Sequence, residues 1–361
     1  MSIHNNYVAI IAGGIGSRFW PESRQKKPKQ FLDLLGTGRS LLQWTFNRFK
    51  DICPKENIYI ITHHSYTALV KEQLPEIAPG NIVSEPSRKN TAPAAAYITH
   101  KIYSLNPKAN IVISPADHLI MDERAFERTV FTALDFVARN NALVTLGIKP
   151  TRPDTGYGYI QFEAGAQDEK ANKVKTFTEK PNLELARTFL KSGDFLWNSG
   201  IFVWNAGVFI DALGKFLPEI NEVFLQAASV YNTPKEEKAI DNLYMHCTNI
   251  SIDIGIMEKA DNVYVIPSFF GWSDLGTWES AYEHSEKDYL GNAVYGNNVM
   301  VIDASECMVK APENKLVVLQ GLGQFIVVDT NDVLLICERN KEQEIKDYVA
   351  EVKRNKGEQY L

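Results

Sequence analysis

Residues 7–31 read YVAIIAGGIGSRFWPESRQKKPKQF, and the fold is decided there. Val8, Ala9, Ile10 and Ile11 form a short continuous apolar run, the pattern of a strand buried on both faces of a parallel sheet. Directly after it, Gly13, Gly14 and Gly16 break the regularity. Without side chains these positions allow φ > 0 and let successive backbone N–H groups point at one anion. Arg18 follows at once, and Arg24, Lys26, Lys27 and Lys29 come within the next turn or loop, opposed only by Glu22. Such a segment suits a polyanion. Glycine-rich turns after a strand also occur in doubly wound folds that bind nothing there, and this one is neither G-x-G-x-x-G nor G-x-x-x-x-G-K-[ST].

Working outward, strand and helix patterns alternate. Ser40 is placed to cap a helix with Leu41, Leu42, Thr45, Phe46 and Phe49 on one face, and NIYIIT at 57–62 reads as a second strand. A helix over 65–75, a short strand at 81–84 and a helix over 93–105 follow. Between the last two stands EPSRKNTAP, residues 85–93, whose polar groups cap a helix at the least. NIVIS at 110–114 is a buried-strand run ending in Pro115, Ala116, Asp117 and His118. Open α/β sheets bind ligands beyond the carboxyl ends of their strands, which is where Asp117 falls. Asp122 is the better cap for the helix over 123–139.

A strand at 142–148 leads into KPTRPDTGYGYIQF, where Gly156 and Gly158 either make a plain hairpin or bring bare backbone close to something. KVKTFT at 173–178 is a further strand, ending in Glu179-Lys180-Pro181, and Asn182 caps a helix to about Ser192. Asn198, in WNSGIF, has the chemistry to bind a hydroxyl. Residues 206–245 are helical with breaks at Pro218 and Pro234, and Ser251 starts a helix through Lys259 with Asp253 as a cap. After a strand at 262–266, Asp274 sits in a glycine-flanked turn between aromatic residues. From about Gly291 the texture changes to short β-type runs at 298–302, 315–319, 325–328 and 333–337, closed by a charged helix over 341–353. The division expected is a catalytic domain over 1–285 and a small β-rich domain over 286–361 with no chemistry of its own.

Composition excludes several classes. The chain has 361 residues, is 45% hydrophobic and 23% charged, and carries a net charge of −6, which argues against general nucleic-acid binding. No apolar run approaches the roughly 20 residues of a membrane helix, and no signal-peptide pattern is seen, so a cytoplasmic location is expected. The four cysteines form no C-x-x-C pair and the seven histidines no ligand-spaced set. Whether the chain pairs with itself as a homodimer is left open.

Strand, A-G-G-x-G-S-R, Trp20-Pro21, Ser23-Arg24 and Pro28-Lys29-Gln30-Phe31 stand in one order and spacing that resembles the nucleotide-sugar pyrophosphorylases. Within them it is most similar to the mannose-1-phosphate guanylyltransferases. The resemblance runs on through residues 115–118, 156–160, 179–181, 198–202 and 272–278. It implies a Rossmann-like, doubly wound, mixed and mostly parallel α/β sheet with a small C-terminal β-helix-like domain. It also implies GDP-mannose and pyrophosphate made from GTP and mannose 1-phosphate. By the same resemblance Ala12, Gly13, Gly14, Gly16, Ser17, Arg18 and Lys29 hold the nucleotide, with Asn90 and Thr91 at the base. Gly158, Glu179, Lys180 and Asn198 hold the sugar phosphate, and Asp117 and Asp274 bind Mg2+, making Arg18, Lys29, Asp117 and Asp274 the catalytic set. Lys27, where relatives often have an aromatic residue, and Ile254-Gly255, where a tyrosine-alanine pair is common, depart from the pattern. These departures bear on the substrate more than on the reaction. Another hexose 1-phosphate or nucleoside triphosphate, or a catalytically silent sensor of nucleotide sugars, remain the alternatives.

Overall fold

The computed structural model describes residues 3–163 and 170–361. Two compact units divide the chain. The first holds residues up to Gly13 together with Thr45–Ala116 and Ile120–Trp272, and the second holds Gly14–Trp44, Asp117–Leu119 and Ser273–Leu361.

The first unit is built on a nine-stranded sheet. Strands β1 (Asn6–Ala12), β2 (Ile58–His63), β3 (Ile82–Glu85) and β4 (Asn110–Pro115) are followed by the two-residue strand β5 (Leu119–Ile120), which stands outside this sheet. Then come β6 (Leu143–Ile148), β7 (Tyr159–Phe162), β8 (Asn172–Thr178), β9 (Phe195–Asn205) and β10 (Val263–Ser268), and the order across the sheet is β3-β2-β1-β4-β9-β6-β10-β8-β7. The pairings among β1 to β4 are parallel, as is β6 with β10, while β9 runs antiparallel to β4, β6 and β7. Burial of β1 on both faces follows from its continuous apolar run. Val8, Ala9 and Ile10 are wholly buried.

Sequence order reverses across the β1–β4 pair, with Ile11 in register with Pro115 and the Ala116 N–H donating to the Ile11 carbonyl at 3.0 Å. The chain therefore leaves the sheet at Gly13 and at Ala116 from neighbouring strand ends, the switch point where such sheets take ligands. Helices α1 (Leu41–Phe49), α2 (Thr67–Gln73), α3 (Thr91–Leu105), α4 (Glu123–Val137) and α5 (Leu183–Ser192) lie close to the stretches their apolar spacing predicts. Asp122 caps α4 by accepting from the Ala125 N–H at 2.8 Å, and Asn182 caps α5 from Leu185 at 2.9 Å. The segment after β9 resolves into α6 (Ala206–Phe216), α7 (Pro218–Gln226) and α8 (Glu236–Tyr244). Pro218 takes the first helical position, where its missing N–H costs nothing. The helix expected over 251–259 is a π-helical turn, Asp253–Met257.

In the second unit, short strands stack as rungs. After the two-residue strand β11 (Trp272–Ser273) and helix α9 (Trp278–Glu283) come β12 (Ala293–Tyr295), β13 (Val299–Ile302), β14 (Met308–Lys310), β15 (Val317–Gln320), β16 (Phe325–Asp329) and β17 (Leu334–Glu338). β12, β14 and β16 pair in parallel with Ala293, Met308 and Ile326 in register, and β13 pairs in parallel with β15. Cys307, Val309, Leu319 and Val327 fill the space within the rungs. Helix α10 (Ile345–Lys356) follows β17. A second core joins Phe19, Trp20, Leu32 and Leu34 to Trp278, Met308, Ile326 and Ile345, so the glycine-loop segment is packed into this unit. Among the described residues no helix is long and apolar enough to cross a membrane.

Candidate active site

The four catalytic residues expected from the sequence lie in the second unit, and Lys29 links two of the others, Asp117 and Asp274. Gly16 takes φ 68°, and a Cβ there would stand 2.4 Å from Cβ of Lys29, so the loop closes on the lysine because the glycine has no side chain. Lys29 is 4% exposed. Its Nζ donates to Asp117 Oδ2 at 2.9 Å and to the backbone carbonyl of Asp274 at 2.7 Å, which brings both aspartates to one ammonium. Burial alone would raise the Asp117 pKa, but the charges of Lys29 and His118 and the bond from Lys29 outweigh it and hold the carboxyl below its ordinary value. Asp274 Oδ1 accepts from the Gly276 N–H at 3.0 Å, and a Cβ on Gly276 would meet Asp274 Oδ2 at 2.6 Å. Arg18 adds a guanidinium whose buried Nε has no hydrogen-bond partner.

The loop is braced against the turn that carries Asp274. Phe19 stacks edge-on against Trp278 with ring centroids 5.0 Å apart, and Trp278 Nε1 donates to the Trp20 carbonyl at 3.3 Å. Arg24 is not available to a phosphate as the sequence suggested. Its guanidinium donates to both carboxylate oxygens of Asp332, at 2.7 and 2.6 Å, to Thr330 Oγ1 at 3.1 Å and to the Pro21 carbonyl at 2.8 Å.

In the first unit, Asn90 has φ 67° and its Oδ1 accepts from the Thr91 N–H at 2.9 Å, opening α3. Thr91 Oγ1 accepts from the Ile252 N–H at 2.9 Å, which leaves its hydroxyl hydrogen to donate. Sequence reasoning passed over Glu85 as a separate group. Its carboxylate is 5% exposed at the end of β3, and Oε2 lies 3.8 Å from where a Cβ on Gly13 would stand. Burial pushes its pKa up to about 7, against the hydroxyl of Tyr244, which donates to Oε1. The signal was present: a carboxylate at the carboxyl end of a strand, as for Asp117. Ser87 Oγ, two residues on, is buried without a partner.

The expected sugar-phosphate residues form a separate cluster in the same unit. Lys180 Nζ donates to Glu179 Oε1 at 2.5 Å, and a Cβ on Gly158 would stand 2.6 Å from Glu179 Oε2. The glycine is thus required by the carboxylate beside it. Asn198 is buried and engaged: Oδ1 accepts from Thr145 Oγ1 at 2.9 Å, and Nδ2 donates to Asp253 Oδ1 at 2.8 Å. Asp253 corrects its reading as a cap. Its side chain caps no helix. Burial, and then the charge of Glu179, push it up to about 6. Nothing in the spacing of residues marked it.

This fold and these groups define a nucleotidyltransferase. Residues 7–290 match the nucleotidyl transferase family and residues 296–352 the MannoseP isomerase/GMP-like beta-helix domain. The chain belongs to the nucleotidyl transferase family. It is 38% identical over 352 residues to mannose-1-phosphate guanylyltransferase of Salmonella montevideo, covering 95% of this chain and 73% of that protein. It is 36% identical over 356 residues to mannose-1-phosphate guanylyltransferase of Escherichia coli K12, covering 96% and 73%. A crystal structure from Thermus thermophilus, described as a mannose-1-phosphate geranyltransferase, superposes with a TM-score of 0.84 at 28% identity, over 97% of this chain and 99% of that one.

Proposed function

We propose that this chain joins GTP and α-D-mannose 1-phosphate to give GDP-mannose and pyrophosphate. The observation that carries the proposal is the cluster in which Lys29 holds Asp117 and the Asp274 carbonyl, in a loop that also carries Arg18, whose Nε is buried without a partner. The names of the relatives support the choice of substrates.

A phosphate oxygen of the sugar phosphate attacks the α-phosphorus of GTP in line, forming the new P–O bond as the bond to pyrophosphate breaks. The attacking oxygen is already ionised near neutral pH, so alignment and charge neutralisation are the tasks left to the protein. Gly14, Gly16 and Ser17 present backbone to the phosphates, and Ala12 and Gly13 lead into that turn. Arg18 and Lys29 take the charge growing on the leaving pyrophosphate. Among the described residues no three His, Cys, Asp or Glu side chains are grouped to hold a metal ion, but Mg2+ needs only one or two carboxylates when substrate phosphates and water complete its shell. Asp117 and Asp274 fit that role, and a bound Mg2+ would offset the repulsion between the two phosphates. Asn90, Thr91 and Glu85 face the base, where a carboxylate can accept from the two adjacent donors on guanine. Lys180 fixes the sugar phosphate, and Glu179, with Asp253 held by Asn198, takes hexose hydroxyls beside Gly158.

The test is pyrophosphate release across a grid of GTP, ATP, UTP and dTTP against mannose, glucose and galactose 1-phosphates. The highest kcat/KM is expected for GTP with mannose 1-phosphate. A different optimum replaces the substrates and keeps the reaction; nucleotide-sugar binding without turnover replaces the enzyme by a sensor.

A further inference from the structure

Three alternate residues of the loop after Arg18 are each held by a different part of the C-terminal segment. Trp20 Nε1 donates to the Tyr360 carbonyl at 2.8 Å. Glu22 Oε2 lies 3.4 Å from Nζ of Lys310, which also donates to the Asp33 carbonyl at 2.7 Å. Arg24 makes its two-pronged pair with Asp332, in the turn between β16 and β17, while Thr330 accepts a further bond from the same guanidinium. Arg24 also ties its own loop, through its Nε to the Pro21 carbonyl and through reciprocal backbone bonds with Lys27. Its side chain is 18% exposed, and four hydrogen bonds within the second unit are made by its five N–H groups.

We propose that the Asp332–Arg24 pair is a positioning device for catalysis: the β-rich C-terminal segment holds the loop in the shape that presents Arg18 and Lys29 to the nucleotide. The inference rests on the nucleotide-binding role given above to that loop. Arg24 lies five residues before Lys29, and Trp20 two residues after Arg18, so the brackets stand on the stretch that joins the two cations. A planar guanidinium on a carboxylate fixes direction as well as distance, which an ammonium at position 24 would not. The β-rich segment thus acts on the reaction without touching the substrate.

The test uses the whole chain with Asp332→Asn, Arg24→Gln and the exchange Arg24→Asp with Asp332→Arg. Asp332 is 46% exposed, so its substitution leaves the core intact. Asp332→Asn is expected to lower kcat/KM for GTP roughly five- to tenfold while leaving the KM for the sugar phosphate unchanged, because loop misplacement falls on the nucleotide. The exchange is expected to recover most of the loss. Hydrogen exchange at residues 15–29 without substrate is a second readout and should quicken in both single variants. If Arg24→Gln impairs turnover while Asp332→Asn has wild-type kinetics and exchange, Arg24 contacts the substrate itself and the proposal is overturned. An exchanged pair no better than the worse single variant overturns it as well. If GTP is turned over by no form of the protein, the functional reading fails, and the exchange rates alone still decide whether the pair holds the loop.

Discussion

Asp253→Asn keeps the shape of the side chain and its bond from Asn198, but removes a charge that the fold holds at a cost. The carboxyl is moved from its ordinary 3.8 to about 6, first by burial and then by Glu179. Two units at about 1.4 kcal/mol each put the cost of ionisation near 3 kcal/mol as an upper bound. Asp253 is partly exposed, so solvent screening brings the expected gain in stability of the variant to about 1–2 kcal/mol above pH 7. The sign follows from proton uptake. Between pH 3.8 and about 6 the folded protein keeps a proton that the unfolded chain has released, so this residue's contribution to stability is full below 3.8 and is lost as pH rises through 6. The Asn variant lacks that loss. Urea unfolding of both proteins from pH 4.5 to 8 should therefore give curves that converge toward the acid end and stand farthest apart above pH 6. Glu85 titrates in both proteins and cancels in the difference. Pyrophosphate assays on the same variant should show kcat/KM for the sugar phosphate falling more than that for GTP. A stability difference that is equal at pH 5 and pH 8 would refute the claim that Asp253 is held against its charge.

Glu85→Gln replaces one acceptor oxygen of the buried carboxylate with a donor, so the preference for GTP over ATP in kcat/KM should shrink by about tenfold or more; an unchanged ratio removes Glu85 from base recognition. Lys29→Met leaves Asp117 without its 2.9 Å partner in a site where the carboxylate is only 29% exposed. Unfolding free energy should fall by about 1–3 kcal/mol and single-turnover pyrophosphate release by about a hundredfold, whereas a stable variant with wild-type turnover contradicts both roles. Gly16→Ala combines φ 68° with a Cβ placed 2.4 Å from that of Lys29. It should cost about 1–3 kcal/mol and raise the KM for GTP, both measurable on the same sample, and a neutral result would show that the loop can open around the new methyl group.

Much of the sheet was legible because its strands are local and apolar. Val8 to Ile11 and Asn110 to Ser114 needed no partner to be recognised, and their ends led to Gly13 and Asp117. The longest strand, β9, was read only as a candidate hydroxyl-binding site at Asn198. It runs antiparallel between β4 and β6 with both faces covered, so it has no alternation, and Asn198-Ser199-Gly200 interrupts its apolar run. Strands β12 and β14 are three residues each and are specified by the rungs they pair with, β14 for β12 and both β12 and β16 for β14, rather than by their own sequence. Gly158 carried the signal of a close approach, and one group that approaches it is Glu179, a side chain of the same cluster.

The contrast between Lys29 and Arg24 marks where reading residues in order stops being sufficient. Both are cations in one loop, five positions apart, and composition gives them the same task. What separates them is the carboxylate each one meets. Asp117 follows a buried strand in the sequence, and the lysine drawn to it also donates to the Asp274 carbonyl, the second aspartate of the proposed set. Asp332 stands in an exposed turn of the rungs, 308 positions along the chain from Arg24, so the arginine drawn to it spends its donors on holding the loop. The difference between the partners of these two cations, and with it the different roles proposed for them, is set by long-range pairing, and no local pattern in residues 7–31 contains it.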